Sequence, residues 1–249
     1  MTIQNINSLD SCDSCSKVII RGCLNSKFSI SNSKMSLLIL DFDGTLADTR
    51  RNIVMTLQQV MRQMGHPVAD DDACAATIGI PLCDAFLRLI PQATEAEADA
   101  CTTTYRQLFE ANRRQLVPQL FPHVRETLDR LKQRGILMAI ASSRTSTSLW
   151  AFLHDMGIAH YFQLVVGAED VSQPKPSPMP VLHILDQMHI TPYQTLVVGD
   201  MPVDILMGRN AGTRTCGVTY GNGTPSDLIS AGADHLIDDF ADLLPLIEG

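Results

Sequence analysis

Leu37-Leu38-Ile39-Leu40-Asp41-Phe42-Asp43-Gly44-Thr45 is the stretch that decides the fold. Four consecutive apolar residues read as a strand buried on both faces, and Gly44 marks the turn that ends it. Strand side chains alternate between faces, so Asp41 and Asp43 are placed to point the same way. Two like charges that close repel unless a cation lies between them or one keeps a proton. The pair suits a Mg²⁺ site in which one carboxylate attacks phosphorus and the other moves a proton.

Beyond this stretch the chain alternates. Apolar strand candidates cover 36–42, 136–141, 163–167, 195–199, 214–218 and 235–237, and amphipathic stretches at 123–134, 146–156, 178–188 and 202–211 separate most of them. Nearly all-apolar strands alternating with helices predict an α/β fold, a doubly wound parallel sheet covered on both faces. Ligands then belong at the carboxyl ends of the strands. One block breaks the pattern. From about Arg51 to Leu116 the periodicity is helical, with Ile53, Leu57, Val60, Met61 and Met64 on one spacing, Gly65 as a stop and a long helix over 94–112. The division expected is a core of residues 36–50 and 117–249, with 51–116 inserted as an all-helical cap above the site.

Residues 1–35 look different. They are rich in Ser, Asn and Cys, and they read as a poorly ordered extension ahead of a start at Met35. Cys12 and Cys15 form a CxxC pair, but the segment offers only Cys23 besides, and no histidine, so a zinc site lacks ligands. The seven cysteines are scattered and no secretory signal is evident, which reads as reduced thiols in a cytoplasmic protein. A net charge of −8 argues against a nucleic-acid surface. No apolar run is long enough for a bilayer span, so no membrane partner is expected. The 249 residues allow one large core plus a smaller lid, as a monomer or homodimer.

Four clusters fall at or after strand ends, where a parallel sheet can bring them together. They are Asp41/Asp43, then Ser142-Ser143-Arg144, then Lys175 between Pro174 and Pro176, then Gly199-Asp200 with Asp204. Each has a plainer reading. Asp43 beside Gly44 makes turns. Ser142 or Asp200 suits a helix N-cap, Pro202 a first helical turn, and Asp204 a solvent-facing helix position. Arg144, Arg50 and Arg51 fit a solvated surface, Gly79-Ile80-Pro81-Leu82 a helix–helix turn, and Met55, Met61 and Met64 the cap core.

Taken together, DFDGTLADT, the serine after a strand, the Lys-Pro pair and GDMPVD resemble the haloacid dehalogenase-like hydrolase superfamily, nearest to its phosphoglycolate phosphatase-like members with a helical cap. The resemblance spans roughly residues 36–247. It implies that Asp41 is the nucleophile and forms an aspartyl-phosphate, and that Asp43 is the general acid and base. It implies a Mg²⁺ ion held by Asp41, the Asp43 carbonyl and Asp200, with Asp204 in support. Ser142, the backbone N–H groups of Gly44 and Ser143, and Lys175 are implied phosphate binders, and the partner is a small phosphorylated metabolite. Two positions depart from the family pattern: Arg144 stands where lysine is common, and His123 where glycine is usual. Asp43 sets the chain apart from dehalogenases, and a missing histidine at Arg51-Asn52-Ile53-Val54 weighs against a sugar phosphomutase, which stays an alternative. Inorganic pyrophosphatases share these motifs, and a non-catalytic binding module on this fold is the alternative of a different class. The intact acidic set weighs against that module, because close carboxylates cost stability unless a cation is bound.

Overall fold

In the computed structural model, residues 34–112, 115 and 117–248 are described, and the expectations for residues 1–33, including the Cys12/Cys15 pair, lie outside them. The stretch quoted above forms β1 (Leu37–Leu40), buried throughout. Parallel neighbours flank it, β4 (Leu137–Ala141) on one side and β6 (Thr195–Gly199) on the other. With β5 (Leu164–Val166), β7 (Arg214–Val218) and β8 (His235–Ile237) they make a six-stranded sheet in the order β5-β4-β1-β6-β7-β8, parallel at every pairing.

The β1 side chains explain why helices cover both faces. Leu37 and Ile39 join Val181, Ile184 and Met207 of α7 (Met179–Met188) and α8 (Pro202–Asn210). Leu38 and Leu40 face the other way, in a cluster with Leu128 of α5 (Val124–Gln133), Phe152 of α6 (Ser146–Asp155) and Leu243 of α10 (Leu243–Glu248). An unbroken apolar strand is what a double-faced burial requires. Met35, at the end of the stretch expected to be loose, packs into this second cluster. A shorter helix, α9 (Pro225–Ala231), follows β7.

The insertion is helical, as its periodicity predicts. It holds α1 (Arg50–Gln63), α2 (Asp71–Ala75), α3 (Leu82–Leu89) and α4 (Glu95–Asn112). Met61 lies in its core, but Met55 and Met64 are exposed, so only one of the three expected core methionines is one. A two-stranded antiparallel ladder, β2 (Ala47–Asp48) with β3 (Gln119–Leu120), ties the two crossings between core and insertion. Two residues per strand leave too short a pattern for sequence periodicity to catch. Among the described residues no helix is long and apolar enough to cross a membrane.

Candidate active site

The carboxyl ends of the strands bring all four sequence clusters to one side of the sheet. Lys175, in the loop after β5, donates from Nζ to Asp41 Oδ1 and to Asp204 Oδ1, both at 2.6 Å. All three groups are buried, and so is Asp200. The second oxygen of Asp204 accepts the Met201 N–H at 3.0 Å, which fixes the start of α8. Thus Asp204, rather than Asp200, caps this helix, Pro202 opens it as expected, and Asp204 is not solvent-facing. Asp200 is held by others: Thr45 Oγ1 donates to its Oδ1 at 3.3 Å, and the Asn222 backbone N–H and side-chain amide donate to its Oδ2 at 2.7 and 3.1 Å.

These carboxylates crowd one another. Oxygen atoms of Asp41, Asp200 and Asp204 all lie within 4.8 Å. Burial holds the Asp41 carboxyl well above the usual carboxylate range, Lys175 pulls it back, and Asp204, Asp200 and Asp43 push it further up. Burial, then Asp204, push Asp200 up to about 7 against the pull of Asn222. Burial alone would lower the Lys175 ammonium, but Asp204 and Asp41 outweigh it and hold it above the ordinary lysine range. One ammonium faces three carboxylates, so full ionisation leaves two negative charges unmatched. Oxygen-only donors with that surplus fit a hard divalent cation.

Gly44 is required here for room as well as for its turn. Its φ is +82°, and a Cβ would run into the Asp200 carboxylate and the Asn222 amide. Its N–H, expected to face phosphate, instead donates to the Ala47 carbonyl at 2.9 Å and closes the turn.

Asp43 leads away from the acidic cluster. Arg144 Nε donates to its two oxygens at 2.8 and 2.6 Å. The guanidinium carbon lies 4.7 Å from the ring centre of Phe109 on α4 and 5.4 Å from that of Phe152. Arg144 is therefore part of the site rather than a surface cation, with its side chain 11% exposed. Ser142 Oγ accepts the Arg144 N–H at 3.3 Å, while Thr145 caps α6, so the capping role considered for Ser142 belongs to Thr145. Ser143 Oγ donates to the Gly79 carbonyl of the insertion at 2.7 Å. Gly79-Ile80-Pro81-Leu82 is the turn into α3, and its Gly79, Ile80 and Leu82 form part of the wall of a cavity of about 290 Å³, which Asp41, Asp43 and Ser142 also border. Arg50, at the hinge, pairs with Asp72 at 2.9 Å on the exposed surface.

Residues 38–218 match the family model of the haloacid dehalogenase-like hydrolases. The chain belongs to this family. A relative from Dickeya dadantii (strain 3937), named "Probable phosphatase IndB", is 36% identical over 84% of this chain and 91% of that protein. A phosphoglycolate phosphatase from Pectobacterium atrosepticum is 31% identical over 84% of this chain and 91% of that protein. The crystal structure of a haloacid dehalogenase-like hydrolase from Bacteroides fragilis matches with a TM-score of 0.79 at 29% identity, over 84% of this chain and 100% of that one.

In this hydrolase the motif-based reading missed Tyr220 and Asn222. Tyr220 donates from its hydroxyl to the Thr45 carbonyl at 2.8 Å, and Asn222 holds Asp200. Both lie just beyond β7, whose limits the sequence predicts, so the next strand-end loop was the available signal. His123, standing where the family usually has glycine, adopts a left-handed φ of 59° at the start of α5. Its Nδ1 lies 2.6 Å from Asp239 Oδ2, a contact glycine cannot make.

Proposed function

We propose that this hydrolase is a Mg²⁺-dependent phosphatase acting on a small phosphomonoester. The observation that carries the reading is the buried Lys175 ammonium shared by Asp41 and Asp204 beside Asp200. The names of the relatives agree, and phosphoglycolate is the first compound to assay. Residues 36–50 and 117–249 act as the catalytic core and 51–116 as its cap.

Asp41 attacks phosphorus as a carboxylate. The bond from phosphorus to the leaving oxygen breaks, and the proton of Asp43 passes to that oxygen, giving an alcohol and an aspartyl-phosphate. Asp43, now a carboxylate, takes a proton from water as the water oxygen attacks phosphorus. The bond to Asp41 breaks, inorganic phosphate leaves, and Asp43 is again protonated. Lys175 holds Asp41 in place and offsets charge on the phosphoryl group, a contribution of roughly 3–4 kcal/mol for a well-placed donor. Ser142 Oγ and the Ser143 N–H bind phosphate oxygens, and Gly44 leaves space for the Asp200 carboxylate. Asp41, the Asp43 carbonyl and Asp200 would hold Mg²⁺, which supplies the positive charge needed by the phosphate and by the crowded acids. Asp204 keeps Lys175 and α8 in register with that set.

The test is Asp41→Asn with Mg²⁺ and p-nitrophenyl phosphate. Turnover is expected to fall by a factor on the order of 10⁴ or more, with the circular dichroism spectrum and melting temperature preserved. A folded variant that keeps its activity rejects Asp41 as the nucleophile.

A further inference from the structure

The cavity between core and cap has a composition that a two-carbon acid does not need. Ile53 and Leu57 of α1, Ile78 and Leu82 near the start of α3, and Tyr105 and Phe109 of α4 form its walls. Most of the cationic groups beside it are engaged or offset. Arg144 gives Nε to Asp43 and lies over Phe109, which leaves only its Nη2, shielded from solvent, without an acceptor among the described residues. Arg106 lies on an exposed turn of α4, where Glu110, also bordering the cavity, brings the opposite charge. A carboxylate placed against these walls would lose its hydration and gain little. At about 290 Å³ the space is at the small end of ligand pockets, generally about 300–1,000 Å³.

We infer that the leaving group of the substrate is an apolar organic group larger than glycolate, seated between α1, α3 and α4. The inference rests on the phosphatase reading and narrows its substrate to phosphate esters of hydrophobic alcohols. The phosphate lies over Asp41, and the carbon skeleton extends from Asp43 into the apolar walls. In such a pocket one added methylene changes kcat/KM by roughly 10–200-fold.

The experiment uses the full chain with saturating Mg²⁺ and compares phosphoglycolate with methyl, ethyl, butyl and benzyl phosphate. Alkyl esters share one leaving-group chemistry, so their differences report the walls. The expected result is a rise in kcat/KM of about a hundredfold or more from ethyl to butyl phosphate, carried by KM, with benzyl phosphate above phosphoglycolate. Leu82→Asn, at a half-buried position, is expected to flatten the series, with its melting temperature showing whether the cap stays folded. Ile53→Asn repeats the test from α1 if Leu82→Asn does not fold. A flat series in the parent protein, or phosphoglycolate as the preferred ester, overturns the inference and leaves the phosphatase reading standing. A series that stays steep in a folded wall variant also overturns it. No turnover of any ester removes the phosphatase reading, and the inference with it.

Discussion

The strand-end floor and the helical cap hold the same cavity by different means. On the floor, Lys175, Asp41, Asp204 and Asp200 are fixed by short ionic hydrogen bonds on rigid strand ends. The cap meets the floor through aromatic rings and, among the described residues, through the Ser143–Gly79 hydrogen bond and the β2–β3 ladder at its base. Phe86 and Tyr105 meet edge to face at 6.4 Å, Tyr105 stacks on Phe109 at 5.5 Å, and Phe109 meets Phe152 of the core at 5.7 Å. Phe152 stacks in turn on Phe42, the residue between the two acidic ones. Charges in a dry floor tolerate little displacement, whereas ring contacts slide at low cost. The difference teaches how the proposed function divides: the chemistry is assigned to the floor, and selectivity and opening to the cap.

The most severe way to break the comparison is to strip the floor of its cation. Chelation by EDTA is expected to abolish turnover, and Mg²⁺ to restore it. The metal-free protein carries a pH signature as well. Asp200, ordinarily near 3.8, is raised to about 7 in the fold. Between these values the folded state binds more protons than the unfolded one, so metal-free stability declines as pH rises from about 4 to 7, and the raised Asp41 carboxyl acts in the same direction. Mg²⁺ is expected to bind the ionised acids and oppose this decline. Melting curves from pH 5 to 8, with EDTA and with Mg²⁺, test both halves. A metal-free melting temperature that climbs over this range contradicts the strained acidic floor.

Arg144 joins the two regions, and changing it sharpens the contrast. Its Nε holds Asp43, its face lies over Phe109 of the cap, and its Nη2 is buried with no acceptor among the described residues. Lysine keeps the charge but not the planar fork or the stacking. Arg144→Lys is expected to lower kcat about tenfold, and Arg144→Met about a hundredfold, because misplacing a reacting group by about 1 Å costs that much. Steady-state kinetics on p-nitrophenyl phosphate decide. An effect confined to KM would place Arg144 with the cap rather than with the floor.

This division also explains what could be read from the chain. Asp41, Asp200 and Asp204 lie within six residues of a strand's last apolar residue, Leu40 or Val198, and the sheet order then brings them together. Lys175 is farther along its loop, but two prolines mark it. By contrast, Arg144 reads from sequence equally as a cation reaching an anionic substrate or as a surface residue, because its covering by Phe109 comes from 35 positions earlier and another layer. The β2–β3 ladder and the Ser143–Gly79 contact arise the same way, from distant segments with no local pattern of their own. Gly44 shows the finer limit: its position was legible, but the partner of its N–H was not, since Ala47 competes with phosphate for that donor.

The gentlest test removes a single oxygen at the seam. Ser143→Ala deletes the 2.7 Å bond to the Gly79 carbonyl but keeps the Ser143 backbone N–H that is proposed to bind phosphate. A hydrogen bond of this kind is worth about 0.5–1.5 kcal/mol net, so closure of the cap weakens by roughly two- to tenfold. The expected result is a KM raised by that factor, with kcat unchanged, or slightly higher if cap opening limits product release. The floor should not respond, because none of its ionic contacts involves Ser143 Oγ. Matched kcat and KM values for parent and variant on one ester decide the point. A fall in kcat at constant KM would show that the hydroxyl serves the phosphoryl group itself, and the boundary between the two regions would then have to be moved to the cap side of Ser143.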